Sequence, residues 1–164
     1  MKEFIGKTKN GCSVYVDTVH SHASTHLKDT PGLLELTEEA LDQLELTEEK
    51  YWFDIDMSRV IGTSECVETH DGDEILYAQR PNRDNFSRFV KNRKPEPTNY
   101  LSLWLEKRGE NEYELMTTYI GRKTPSFPGG KSETPESFMF WADHALIWGN
   151  QEIVSGTETT ICPW

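Results

Sequence analysis

The stretch NYLSLWLEKRGENEYELMTTYIGR, residues 99 to 122, constrains the fold more than any other part of the chain. Two alternating runs flank a polar turn. Leu101, Leu103 and Leu105 fall on one face of the first run, and Tyr113, Leu115, Thr117 and Tyr119 on one face of the return. A hairpin this long does not stand alone in water; it requires further strands and a cover for its apolar side. The chain has strand material to offer. SVYVDTVH (13 to 20) alternates, and YWFDIDMSRVIGTSECVET (51 to 69) reads as two strands broken near Gly62. EILYAQR (74 to 80) follows a hairpin-type HDGD turn.

Helical material lies around these runs. LELTEE occurs at 34 to 39 and again at 44 to 49, and Thr37 and Thr47 each precede carboxylates that suit a helix N-terminus. Leu36, Ala40, Leu41 and Leu44 then predict an amphipathic helix near 37 to 46. Asp84 is a candidate cap for a helix over 85 to 93, with Phe86, Phe89 and Val90 on one face and Arg88, Lys91 and Arg93 outside. Lys94-Pro95 would end it. Thr134-Pro135 opens SFMFWADHALIWG, where Phe138, Trp141, Ala142, Ala145 and Trp148 predict a core helix closed by Gly149. The tail, QEIVSGTETTICPW, reads as one further strand docking at Ile161 to Trp164.

Strands cluster centrally and no βαβαβ rhythm occurs. The expected class is α+β, a single domain over residues 1 to 164 with an antiparallel sheet of about four to six strands and roughly two or three flanking helices. The apolar fraction is modest at 35%, but five Trp, six Tyr and seven Phe close a core with few residues. No apolar run is long enough to span a membrane, and MKEFIGKTKNGC lacks the features of a secretory signal. Cys12, Cys66 and Cys162 show no metal-binding spacing. They read as buried thiols in a reducing compartment, so the expected location is cytoplasmic.

The formal net charge of −11 is uneven. Residues 35 to 74 hold 14 acidic and 2 basic side chains, whereas 80 to 94 hold 6 basic and 1 acidic. Such a chain does not attract nucleic acid at long range, yet its basic segment can bind phosphate or carboxylate at short range. The plainer reading is a solvated basic helix, salt-bridged to the acidic segment.

Three of the five histidines sit in VHSHASTH: His20, His22 and His26. HxH spacing suits a metal, and His20 and His22 could ligate one ion with His26 or Asp29 completing the shell. Imidazoles also serve as general acid and base, which would need Arg80, Arg83 or Arg88 to stabilise a developing anion. Thr118 and Thr98 carry hydroxyls that could meet a phosphate, or serve β-propensity alone. His144, in HALIWG, reads as a packed histidine. No phosphate-binding glycine loop and no GxSxG motif occurs.

In order and residue type, HSHASTH before a first helix, the basic strand end YAQR and the closing MTTYIG strand resemble the barnase/EndoU/colicin/RelE-like ribonuclease superfamily over residues 13 to 122. The resemblance implies metal-independent, toxin-like RNA cleavage without a cofactor, on an antiparallel sheet flanked by helices. It would make His22 and His26 the general base and acid and set Arg80 against the phosphorane. Thr118 would then hold the phosphate, with Arg83, Arg88, Lys91 and Thr98 as further substrate contacts. The acidic balance and the last 40 or so residues depart from that pattern. Two other classes stay open. An immunity- or nucleic-acid-mimic-type protein would meet a basic partner through the acidic 35 to 74 face. A metal-dependent hydrolase would use His20, His22 and His26.

Overall fold

The structure, a computed structural model, describes residues 1 to 19 and 21 to 164. The fold is α+β. In chain order the elements are β1 (Lys2–Lys7), β2 (Ser13–Asp17), α1 (His22–Asp29), α2 (Leu33–Leu41), β3 (Lys50–Asp56), β4 (Gly62–Ser64) and β5 (Cys66–Glu68). There follow β6 (Ile75–Gln79), β7 (Phe86–Val90), β8 (Glu96–Thr98), β9 (Tyr100–Gly109), β10 (Glu112–Ile120), α3 (Pro135–Trp141) and β11 (His144–Ile147). Two compact units result: Met1–Gly62 with Pro97–Lys123, and Thr63–Glu96 with Thr124–Trp164. No helix among the described residues is long and apolar enough to cross a membrane.

The first unit is built on a five-stranded sheet in the order β1-β2-β10-β9-β3. It is antiparallel except where β2 runs parallel to β10. Leu101, Leu103 and Leu105 are fully buried, and α1 and α2 supply Ala23, Leu33, Ala40 and Leu41 against them. In β3 the alternation is visible directly: Tyr51, Phe53 and Ile55 pack on the core, while Trp52, Asp54 and Asp56 are exposed.

The face expected for the return strand holds only halfway. A bulge between Leu115 and Thr117 places Leu115 opposite Leu105 and Thr117 opposite Trp104, leaving Met116 as the extra residue. Beyond it, Thr118 lies opposite Leu103 and faces the core, while Thr117 and Tyr119 turn to the outer face. One inserted residue exchanges the two faces because the side-chain period is two.

The first two helices begin at Ser21 and Gly32 and not at the threonines that precede carboxylates. The Ser21 hydroxyl caps α1 by accepting from the Ser24 N–H at 3.0 Å, and His26 and Lys28 occupy the last turn, where cations suit the dipole. Gly32, at φ 83°, starts α2 ahead of Thr37, which sits mid-helix and donates to the Leu33 carbonyl at 2.8 Å. No helix starts at Thr47. The N–H groups of Thr47 and Glu48 both donate to the Tyr51 hydroxyl at 2.8 Å, and the chain enters β3.

The second unit has a four-stranded sheet, β5-β11-β7-β6. Residues 85 to 93 do not form the expected helix. Phe86, Phe89 and Val90 satisfy helical and strand spacing alike, and the segment pairs with β6 as β7. Phe89 joins one apolar cluster and Val90 another, as opposite faces of a strand require. The helix expected to run through Trp148 stops at Trp141. HALI becomes β11, an inner strand between β5 and β7, where an apolar run is covered on both faces. Phe138 and Met139 are exposed in consequence, while Trp141 stacks on Phe127 at 3.8 Å.

The tail is a strap, not a strand. Tyr77 and Thr159 exchange backbone hydrogen bonds of 2.7 and 2.8 Å, and the Val154 N–H donates to the Gln79 carbonyl at 2.8 Å. The strap satisfies the outer edge of β6. Trp164 meets Tyr77 edge-on at 5.2 Å, whereas Ile161 does not dock and is exposed. Of the three free cysteines Cys12 is buried, but Cys162 is exposed, against expectation.

Candidate functional site

Helix α1 and the outer face of the first unit's sheet hold the groups best suited to chemistry, and His26 and Tyr119 are where the two meet. His22 and His26 are four residues apart on α1, so they share one helix face. His22 is exposed. The His26 ring lies 6.1 Å from that of Tyr119. Partial burial, then the neighbouring His22, pushes the His26 imidazole below its ordinary value, and Asp29 opposes them weakly. His26 is thereby held toward the neutral, proton-accepting form.

Register extends this site across the sheet. Tyr119 stands opposite Ser102, and Ser102 opposite Asp54. The Ser102 hydroxyl donates to Asp54 Oδ1 at 2.6 Å, and the Lys123 N–H donates to the same oxygen at 2.8 Å. One pair along, Thr117 stands opposite Trp104 and Trp104 opposite Trp52. The two indoles stack at 4.8 Å and 7°, with Lys123 Nζ 4.7 Å from the Trp52 ring and Arg122 4.0 Å over Tyr100. At the far end Arg108 bonds both Glu106 and Glu114, which offsets their charge.

The residues singled out in the sequence divide between the units. His22, His26, Thr98 and Thr118 belong to the first; Arg80, Arg83, Arg88 and Lys91 belong to the second. Thr118 is fully buried, 3.1 Å from the Thr37 hydroxyl, so its hydroxyl serves the core and does not meet a phosphate. Thr98 accepts from the Tyr100 N–H at 3.2 Å.

In the second unit, Arg80 is held by Ser87 at 2.8 Å and Gln151 at 2.9 Å. Arg88 alternates to the other sheet face and donates to Thr69 Oγ1 at 3.0 Å and the His144 carbonyl at 2.9 Å. Arg83 and Lys91 are exposed, and Arg93 pairs with Asp73 and Glu96. His144 is packed flat on Phe140 at 3.9 Å with Nδ1 2.7 Å from Asp143, a structural setting. Burial lifts the Cys66 thiol to about 12, which removes it as a thiolate nucleophile.

His20 lies outside the described residues, and with it the three-histidine ligand set. Among the described residues no group of three His, Cys, Asp or Glu side chains is placed to hold a metal ion. The acidic segment divides as well. Glu35, Glu38, Asp42, Glu45, Glu48 and Glu49 are exposed in the first unit, where Glu39 forms a bidentate pair with Arg59. The residues from Glu65 to Glu74 belong to the second.

Reading the sequence missed the Trp52–Trp104 platform, Lys123, Arg122 and Tyr119. The platform had a signal: in YWF and in LWL a tryptophan occupies the outward position between two inward apolar residues. Comparison of the chain with protein-family models, with curated proteins and with solved structures returned no match.

Proposed function

We propose that the outer face of the first unit's sheet, with α1 beside it, is a metal-independent RNA-cleaving site of the kind the barnase/EndoU/colicin/RelE resemblance implies. The observation that carries this reading is the pairing of His22 and His26 on one helix face, with His26 partly buried against Tyr119. Neutral His26 takes the proton of a ribose 2′-hydroxyl, whose oxygen attacks the adjacent phosphorus. His22 gives a proton to the departing 5′-oxygen. The P–O5′ bond breaks, and the products are a 2′,3′-cyclic phosphate and a free 5′-hydroxyl. Arg122 and Lys123 are cations of the same sheet face that meet backbone phosphates of the RNA, and the Trp52–Trp104 pair offers a surface on which a base stacks.

The test is incubation with end-labelled RNA in EDTA, for the native chain and for His22→Gln and His26→Gln. Cleavage to cyclic phosphate ends, lost in both variants, supports the reading; intact RNA overturns it. Loss of cleavage in EDTA, restored by a divalent metal, favours the hydrolase instead. The exposed carboxylates of α2 and the turn after it favour a second reading, a non-catalytic partner of a basic protein. That reading takes the lead if RNA stays intact and a basic protein binds with an affinity that falls steeply with salt.

A further inference from the structure

Buried cations in proteins are normally paired with a carboxylate. Arg80 is an exception. It is largely buried at the end of β6, and no carboxylate forms a salt bridge with it among the described residues. Its partners are neutral and fix its orientation. Nε donates to Ser87 Oγ at 2.8 Å, Nη1 donates to Gln151 Oε1 at 2.9 Å, and the Phe127 ring lies 5.4 Å from the guanidinium carbon. Nη2 has no such bond. Because no side-chain nitrogen or oxygen among the described residues is both buried and unpartnered, Nη2 reaches solvent. The guanidinium is thus clamped on two nitrogens and open on the third, with an aromatic wall beside it.

A second guanidinium, Arg83, on the loop that follows, repels the Arg80 cation and so adds to the effect of burial, which is the main cause that lowers the Arg80 pKa to about 10. Two cations, one rigid and one on an exposed loop, meet a doubly charged anion better than a carboxylate. The low-dielectric wall of Phe127, itself stacked on Trp141, strengthens that attraction.

We infer that Arg80, held by Ser87 and Gln151 and assisted by Arg83, is a binding site for a phosphate group. The site lies wholly within the second unit and does not rest on the RNA-cleavage reading. Gln151 belongs to the segment that continues into the strap, so an occupied site also fastens the start of the strap to the sheet.

The experiment uses the full chain and inorganic phosphate at constant ionic strength, with chloride and acetate as controls. Binding is read from the Arg80 Nε–Hε resonance and from the thermal midpoint. A saturable shift of that resonance with phosphate, accompanied by a higher midpoint, is expected. Arg80→Gln should abolish the midpoint response, and Arg83→Gln should weaken binding several-fold. Arg80→Lys keeps the charge without the fork and should weaken binding about tenfold or more. The native-chain resonance reads the site even if Arg80→Gln does not fold. No response to phosphate, an equal response to acetate, or a phosphate response that survives in a folded Arg80→Gln chain overturns the assignment. Nucleoside monophosphates distinguish the source. Affinity equal to that of inorganic phosphate supports a free-phosphate site, and tighter binding supports the phosphate of a nucleotide.

Discussion

The hydroxyls of Thr37 and Thr118 lie 3.1 Å apart, both wholly buried, and join α2 to β10 across the core of the first unit. The Thr37 hydroxyl donates to the Leu33 carbonyl, so Thr118 is the donor between the two. The consequences of removing either are unequal. Thr118→Val deletes one hydrogen bond and should cost about 1 kcal/mol, whereas Thr37→Val strands a buried hydroxyl and should cost about 1–3 kcal/mol. Urea denaturation of the two singles and the double should show Thr37→Val as the worse single and a double milder than the sum. RNA cleavage, where present, should be unchanged in folded Thr118→Val.

The depressed His26 value has a stability consequence of definite sign. A neutral imidazole that resists protonation in the folded chain contributes stability that is intact above the unfolded value near 6.5. That contribution is lost as pH falls from there through the lower folded value. The denaturation midpoint of the native chain should therefore drop more between pH 7.5 and pH 5 than that of His26→Gln. Identical pH profiles would show that His26 is not held neutral. In a cleavage assay, the rate of the native chain should fall on the acidic side of its profile as His26 takes up a proton.

Gly62 has a tight neighbour. A Cβ built on it would lie 3.0 Å from Cγ2 and 3.2 Å from Cδ1 of Ile120. Gly62→Ala should destabilise by about 1–3 kcal/mol through overpacking. Adding Ile120→Val, which trims the contacting side chain, should recover part of the loss in a thermal melt. Failure of Ile120→Val to restore anything would place the cost at Cγ2, the closest contact and one that valine retains.

Trp52 and Trp104 give the cleavage reading a second, independent readout. If a base stacks on the pair, Trp52→Ala should raise KM for a short oligonucleotide by roughly 5- to 150-fold, the equivalent of about 1–3 kcal/mol per stacked base. The kcat should fall little, since neither indole contacts the reacting phosphate in the proposed arrangement. A collapse in kcat with KM unchanged would contradict the stacking role.

The sequence made visible those features that depend on neighbours along the chain. The β9–β10 hairpin, the buried leucines of β9, the helix containing Ala40 and Leu41, and the α+β class were all legible from periodicity. What stayed hidden depends on partners in space. Phe86, Phe89 and Val90 fit two periods, and only pairing with β6 selects the strand. HALI is helical by continuity and a strand because β5 and β7 leave room for it. The bulge at Met116 has no sequence signature, yet it decides that Thr118 faces inward and Tyr119 outward. At the site the histidines were visible as residues, but their nearness to Tyr119 and the stacking of Trp52 on Trp104 follow from packing and register.

The chain leaves the first unit at Gly62, returns at Pro97 and leaves again at Lys123. Strands β9 and β10, which stand between β2 and β3, therefore emerge from the ribosome only after most of the second unit's sheet has been made. Until then β2 and β3 have no strand to join them, and the edge of β6 waits longer still, for Thr159. Nor does any single cut in the gene separate one whole unit from the other. Recombination at one breakpoint cannot graft either onto a new neighbour, so the candidate catalytic face and the Arg80 site are bound to be inherited together.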